Sequence, residues 1–174
     1  YSKPWNRVKR YKQAAQAAYE KTGKKALYFV NVTSGAGEIL DNVKRAEDAG
    51  ADGIMLNFAA VGYSVLKQVA EVSRVPVLGH GAGTGMYYEG TASGMSSPLA
   101  AGKLARLAGA DIVMINTPYG GYPLQYQKYI QTISQLTLPW YELRPSMPSI
   151  GGGVHPGMVE KYVREAGKDI VLAA

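Results

Sequence analysis

The stretch Ala49-Gly50-Ala51-Asp52-Gly53-Ile54-Met55 returns twice, as Ala108-Gly109-Ala110-Asp111-Ile112-Val113-Met114 and as Ala166-Gly167-Lys168-Asp169-Ile170-Val171-Leu172. Each copy reads as the end of a helix, a turn through glycine and the start of a strand. The glycines stand 59 and then 58 residues apart, at 50, 109 and 167, a spacing that holds two βα units. Even spacing with every second unit alike is the pattern of a (β/α)8 TIM barrel, where alternate strands fill alternate core layers. A Rossmann-type sheet does not need that regularity.

Between the copies, helical and strand periods alternate. Residues 5–22 carry Val8, Tyr11, Ala15, Ala18 and Tyr19 at helical steps, with Gly23 as a stop. Apolar runs at 26–33, 54–58, 75–78, 112–115, 147–150 and 170–173 read as strands. Helices are predicted at 39–46, 63–72, 98–108, 124–136 (Tyr126, Tyr129, Ile130 and Ile133 inward) and 157–166. Six strands joined by helices imply a parallel α/β sheet with right-handed crossovers. Because a barrel closes on eight strands, residues 1–174 are expected to be one segment, roughly strands three to eight. The first two strands and the last helix would lie outside this chain.

In such a barrel, chemistry belongs to the C-terminal ends of the strands and stability to the opposite face. Asp52, Asp111 and Asp169 precede their strands and are assigned no catalysis. The rim instead receives Asn31 and Thr33, Asn57, His80 and Thr84, Asn116 and Thr117, and then Gly151-Gly152-Gly153.

The formal charge of +6 is concentrated in Lys3, Arg7, Lys9, Arg10, Lys12, Lys21, Lys24 and Lys25, which reads as a solvated helix face and not as a nucleic-acid surface. No apolar run reaches the roughly 18 residues of a membrane span. Neither membrane nor nucleic acid is therefore expected as a partner. The absence of cysteine excludes disulfides and thiolate chemistry and fits a cytoplasmic protein.

Two rim features carry chemistry. Gly151-Gly152-Gly153, ahead of a helix starting near Pro156, exposes backbone N–H groups where barrels hold a phosphate; the plain alternative is a tight turn without ligand. His80, in the glycine-rich stretch Gly79-His80-Gly81-Ala82-Gly83-Thr84-Gly85, is a candidate catalytic proton shuttle or donor to a substrate oxygen; the alternative is a rim residue that only shapes its loop. His80 and His155 are 75 positions apart, and no carboxylate sits at a strand end beside either. No metal site is predicted within the chain.

With those positions placed, the chain resembles the barrel of the RuBisCO large-chain superfamily, and more closely its RuBisCO-like (form IV) branch. The resemblance is carried by Tyr19-Glu20-Lys21-Thr22-Gly23 with Leu27-Tyr28 and Val30-Asn31-Val32-Thr33, by Leu104-Ala105-Arg106-Leu107-Ala108-Gly109-Ala110-Asp111, by Pro118-Tyr119-Gly120 and by Gly153-Val154-His155-Pro156-Gly157-Met158-Val159. Those in the methionine-salvage branch enolise 2,3-diketo-5-methylthiopentyl-1-phosphate.

The resemblance implies that His80 binds substrate after strand five and that Gly153, beside Gly152 and Gly151, binds phosphate after strand seven. It also implies a Mg²⁺ cofactor on a carbamylated lysine and an Asp-Glu pair preceding Tyr1, a second phosphate-binding Gly-Gly following Ala174, and a homodimer or larger homo-oligomer. Where RuBisCO carries an arginine after the strand-five histidine this chain has Gly81, and where RuBisCO's mobile loop carries lysine it has Gly121. Carboxylation of CO₂ is therefore not expected. The salvage enzymes' His-Pro-Ala-Phe-Ser-Gly is replaced by His80-Gly81-Ala82-Gly83-Thr84-Gly85, which implies a roomier pocket.

The expected activity is Mg²⁺-dependent enolisation of a phosphorylated ketone or diketone. The alternatives are a decarboxylase of a phosphorylated 3-oxo sugar acid, an isomerase of a phosphorylated ketose, or a barrel that binds a phosphometabolite without turnover. The segment alone is expected to be inactive.

Overall fold

The structure is a computed structural model that describes residues 2–173. Six strands, β1 (Phe29–Asn31), β2 (Gly53–Asn57), β3 (Val77–His80), β4 (Ile112–Asn116), β5 (Met147–Gly151) and β6 (Val171–Ala173), form one sheet. All neighbours are parallel, in the order β1-β2-β3-β4-β5-β6. Sequential order in a parallel sheet is the topology of a (β/α)8 barrel, here six strands of it.

The strand period of two explains the layers. Val30, Ile54, Leu56, Val113, Ile115 and Ile150 are fully or almost fully buried in the core shared with the helices. Burial of a side chain of this size contributes about 1.5–3 kcal/mol. The alternate set, Asn31, Met55, Asn57, His80 and Met114, lies on the opposite face and is only partly buried.

The helices are α1 (Pro4–Thr22), α2 (Ile39–Asp48), α3 (Phe58–Val61), α4 (Tyr63–Val72), α5 (Gly85–Tyr88), α6 (Leu104–Leu107), α7 (Tyr126–Thr137) and α8 (Val159–Ala166). Gly23 ends α1 in the left-handed conformation, its N–H returning to the Tyr19 carbonyl.

The repeated Asp has a structural task. The Asp52 carboxylate accepts the Tyr28 N–H at 2.9 Å and pairs with Lys12, and Asp111 accepts the Val77 N–H at 2.8 Å. In both places the Asp before one strand holds the entry of the preceding one, at the end of the sheet away from the rim.

Several sequence expectations are corrected. Tyr11 and Tyr19 do not enter the core, since α1 buries only Pro4 and Val8; Tyr11 instead stacks on Tyr28 with centroids 4.2 Å apart. Tyr126 is half exposed, and α7 turns Tyr129, Thr132, Ile133 and Leu136 inward. Leu40 is likewise exposed beside the buried Ile39. Phe58 leaves the strand and opens α3, where its ring covers Gly79 and lies 5.5 Å from Tyr63. The helix expected over 98–108 begins as a π-helix, Pro98–Lys103; a Cβ on Gly102 would come within 3.1 Å of the Thr132 carbonyl oxygen of α7, so small residues let the two backbones approach. Residues 156–158 form a 3-10 turn ahead of α8.

Candidate functional site

Past Gly151 the chain turns through Gly152 (φ 98°) and Gly153 (φ 69°), left-handed conformations that glycine adopts without strain. The loop after β4 packs directly on this turn: a Cβ on Gly120 would lie 2.9 Å from the Gly152 carbonyl carbon, and one on Gly153 would lie 2.5 Å from the Tyr119 carbonyl oxygen. Only glycine permits that approach.

Hydrogen bonds fix the turn from behind. Thr117 Oγ1 donates to the Gly152 carbonyl at 2.8 Å and accepts the Tyr119 N–H at 3.0 Å. The buried Tyr162 hydroxyl reaches the carbonyls of Gly152 and Gly153 at 3.2 and 3.3 Å. Tyr119 is itself anchored to α8: its hydroxyl donates to Glu165 at 2.8 Å, and Lys161 sits 3.9 Å from its ring centre. Burial and the adjacent Glu165 carboxylate push the Tyr119 hydroxyl up to about 12, so it stays a donor. With the loop carbonyls so engaged, the N–H groups of Gly152 and Gly153 take no acceptor among the described residues and remain available to an anion.

In front of the turn lies a cavity of about 510 Å³ lined by the three glycines together with Met114, Asn116, Gly121, Tyr122 and His155. No Lys or Arg lines it. A larger groove, about 980 Å³, runs between α7 and α8 past Gln127, Lys161 and Arg164, away from the strand ends.

His80 closes β3 and is half-buried. Its Nδ1 accepts the Ala82 N–H at 3.0 Å, so in the neutral ring the proton resides on Nε2. Burial lowers its pKa, which keeps the ring neutral and makes it a donor to an oxygen. Thr84 shapes the loop: its hydroxyl is held by the Gly81 carbonyl at 2.7 Å and lies 3.2 Å from the Tyr88 hydroxyl. Asn31 and Thr33 are also engaged locally, Asn31 Oδ1 with the Thr33 N–H and Thr33 Oγ1 with the Asn57 N–H.

The structure therefore sets His80 and Gly151–Gly153 on one rim without contact. They occupy β3 and β5, with β4 between, and two strand spacings are about 10 Å. Tyr162, Glu165 and Ser149 were not singled out for the site in the sequence. Tyr162 and Glu165 gave no local sign, because their partners lie 9 to 46 residues away; Ser149 could have been found from its even spacing with Gly151 on one strand.

The whole of residues 1–174 matches the model of the ribulose bisphosphate carboxylase large chain, catalytic domain. The chain belongs to the RuBisCO large-chain family. It is 43% identical over 170 residues to a ribulose bisphosphate carboxylase-like protein of Archaeoglobus fulgidus, covering 97% of this chain and 39% of that protein. It is 39% identical over 171 residues to a 2,3-diketo-5-methylthiopentyl-1-phosphate enolase of Bacillus anthracis, covering 97% of this chain and 41% of the enolase. Among solved structures, a RuBisCO-like protein (MtnW) from Alicyclobacillus acidocaldarius superposes with a TM-score of 0.93 at 30% identity, covering all of this chain and 44% of the other. The fold is thus that of the RuBisCO barrel, and this RuBisCO-family chain spans about two-fifths of the length of these relatives.

No group of three or more His, Cys, Asp or Glu among the described residues converges to hold a metal ion. These residues alone do not fit a Mg²⁺ site. Among the described residues, no helix is long and apolar enough to cross a membrane.

Proposed function

We propose that the full-length protein enolises a phosphorylated ketone or diketone, as in the methionine-salvage branch. The observation that carries this reading is that one rim holds a neutral histidine donor, His80 at the end of β3, and, two strands away, the N–H groups of Gly152 and Gly153, unpaired among the described residues. A phosphate in the glycine cradle places a carbonyl several bonds away at His80. There the Nε2–H donates to the carbonyl oxygen and holds the negative charge that grows on it as the neighbouring proton leaves. None of the six strands carries Asp, Glu, Lys or Arg, so the group that takes the proton lies outside them. Two further strands closing the barrel, a Mg²⁺ held by residues outside this chain, a cytoplasmic location and a homo-oligomer belong to the same proposal, supported by the family membership.

The loop after His80 carries glycine at 81, 83 and 85 where the salvage enzymes have Pro-Ala-Phe-Ser-Gly, and that departure favours a second reading on the same scaffold: isomerisation of a phosphorylated ketose or decarboxylation of a phosphorylated 3-oxo sugar acid. Gly121, with open space where its Cβ would stand, supplies no cation for CO₂, and carboxylation is not part of the proposal. The test incubates full-length protein with candidate phosphorylated ketones in D₂O, with and without Mg²⁺, and follows the products by NMR. Deuterium entering next to the carbonyl supports enolisation, a change of carbonyl position isomerisation, and loss of CO₂ decarboxylation. Tight binding with no chemistry on any candidate identifies a non-catalytic phosphometabolite-binding barrel and overturns the enzyme reading.

A further inference from the structure

Two polar atoms on the partly open face of the sheet are buried and without a partner among the described residues: Asn57 Oδ1 and Ser149 Oγ. Ser149 is 1% exposed. They belong to one row across the strands, because Asn57 is the register partner of His80, His80 of Met114, and Met114 of Ser149. Register partners in a parallel ladder project to the same face. From β2 to β5 the row therefore presents an acceptor, the Nε2–H donor of His80, an apolar side chain and a hydroxyl. The Asn57 backbone N–H is already taken by Thr33 Oγ1 at 2.9 Å, which fixes the residue at the rim. A buried acceptor left unpaired is destabilising, and the other buried side-chain atoms unpartnered among the described residues, on Arg7, Tyr129 and Glu165, belong to helices and not to this row.

We propose that Asn57 determines specificity: its Oδ1 accepts a hydrogen bond from a hydroxyl on the carbon beside the carbonyl that His80 holds. Adjacent strands are about 4.8 Å apart, so the two side chains stand side by side, close enough to engage oxygens on neighbouring carbons. An α-hydroxyketone phosphate satisfies both groups, one oxygen accepting from His80 and one donating to Asn57. A vicinal diketone offers only acceptors, so it can engage the Asn57 amide only through Nδ2–H and leaves the buried Oδ1 unpaired. The inference rests on the phosphorylated-ketone reading above and narrows it to the ketose class, away from the vicinal diketone of the methionine-salvage enolases.

The test measures dissociation constants by calorimetry on the full-length protein for dihydroxyacetone phosphate and for hydroxyacetone phosphate, which lacks only the hydroxyl. Wild type binds the hydroxylated probe about tenfold tighter or more, as expected when a buried acceptor loses its partner. Asn57→Leu, similar in size but without an acceptor, abolishes that preference, and Asn57→Asp retains it. His80→Ala weakens both probes and leaves their ratio unchanged. Equal wild-type affinity for the two probes overturns the role of Asn57 while the phosphorylated-ketone reading stands, and so does a preference that survives in Asn57→Leu. If neither probe binds, the phosphorylated-ketone reading falls and the role of Asn57 with it. Should Asn57→Leu fail to fold, the wild-type ratio and the Asn57→Asp ratio decide alone.

Discussion

Thr117 and Gly152 are joined by a 2.8 Å hydrogen bond in which the threonine hydroxyl donates to the glycine carbonyl, while the same oxygen accepts the Tyr119 N–H. One fully buried side chain thus ties the loop after β4 to the glycine turn after β5. Thr117→Val keeps the shape and removes both bonds. It is expected to lower stability by about 1–3 kcal/mol, the range for stranding buried polar groups, and to weaken inorganic phosphate binding. Denaturant unfolding and calorimetry check the two effects; unchanged phosphate affinity would show that the turn keeps its geometry without Thr117.

Glycine is required at some positions of these loops and not at others. A Cβ at Gly153 meets the Tyr119 carbonyl oxygen at 2.5 Å in a left-handed backbone, whereas one at Gly121 meets nothing within 4 Å. Gly153→Ala should therefore weaken phosphate binding at least tenfold and reduce the thermal midpoint, from strain and forced loop separation. Gly121→Ala should leave the midpoint within a degree or two, as an unstrained surface change does. Parallel melting curves and phosphate titrations of the two variants test the contrast.

The pH dependence of stability follows from His80. Burial depresses its pKa in the folded state below the ordinary 6.5, so between those two values the unfolded chain binds a proton that the folded chain does not. Stability from this group is therefore present above about 6.5 and is lost as pH falls towards the folded pKa. In His80→Gln that part of the loss disappears, and unfolding free energy varies less between pH 7.5 and 5.5 than in wild type. An identical pH profile for the two proteins would place His80 in a solvated setting.

The order of strands and helices was legible because it rests on local signals. Gly23, Gly109 and Gly167 carry positive φ after helices, and the Asp of the repeat binds the neighbouring strand at Tyr28 and Val77. Phase within helices was less legible. Tyr126 and Tyr129 both fit an apolar stripe, and only the approach of α7 to Gly102 decides which faces inward. In α1 the spacing promised an apolar face, yet polar and aromatic contacts from Arg7, Tyr11 and Lys12 hold the helix. At the site, His80 and the three glycines stood out by residue type. Asn57 was already on the rim in the sequence, but its place on the row of His80 comes from register, as does that of Ser149, and Tyr162 acquires meaning from a loop that the fold brings to its hydroxyl.

The most direct test of the account is the rate at which solvent deuterium enters the carbon next to the carbonyl of a bound phosphorylated ketone, measured by NMR for full-length wild type and His80→Ala. Exchange is expected in wild type and a loss of at least tenfold in His80→Ala, with melting temperature and phosphate affinity preserved, as for a donor that acts on the developing oxyanion. Exchange at the wild-type rate in His80→Ala would contradict the account.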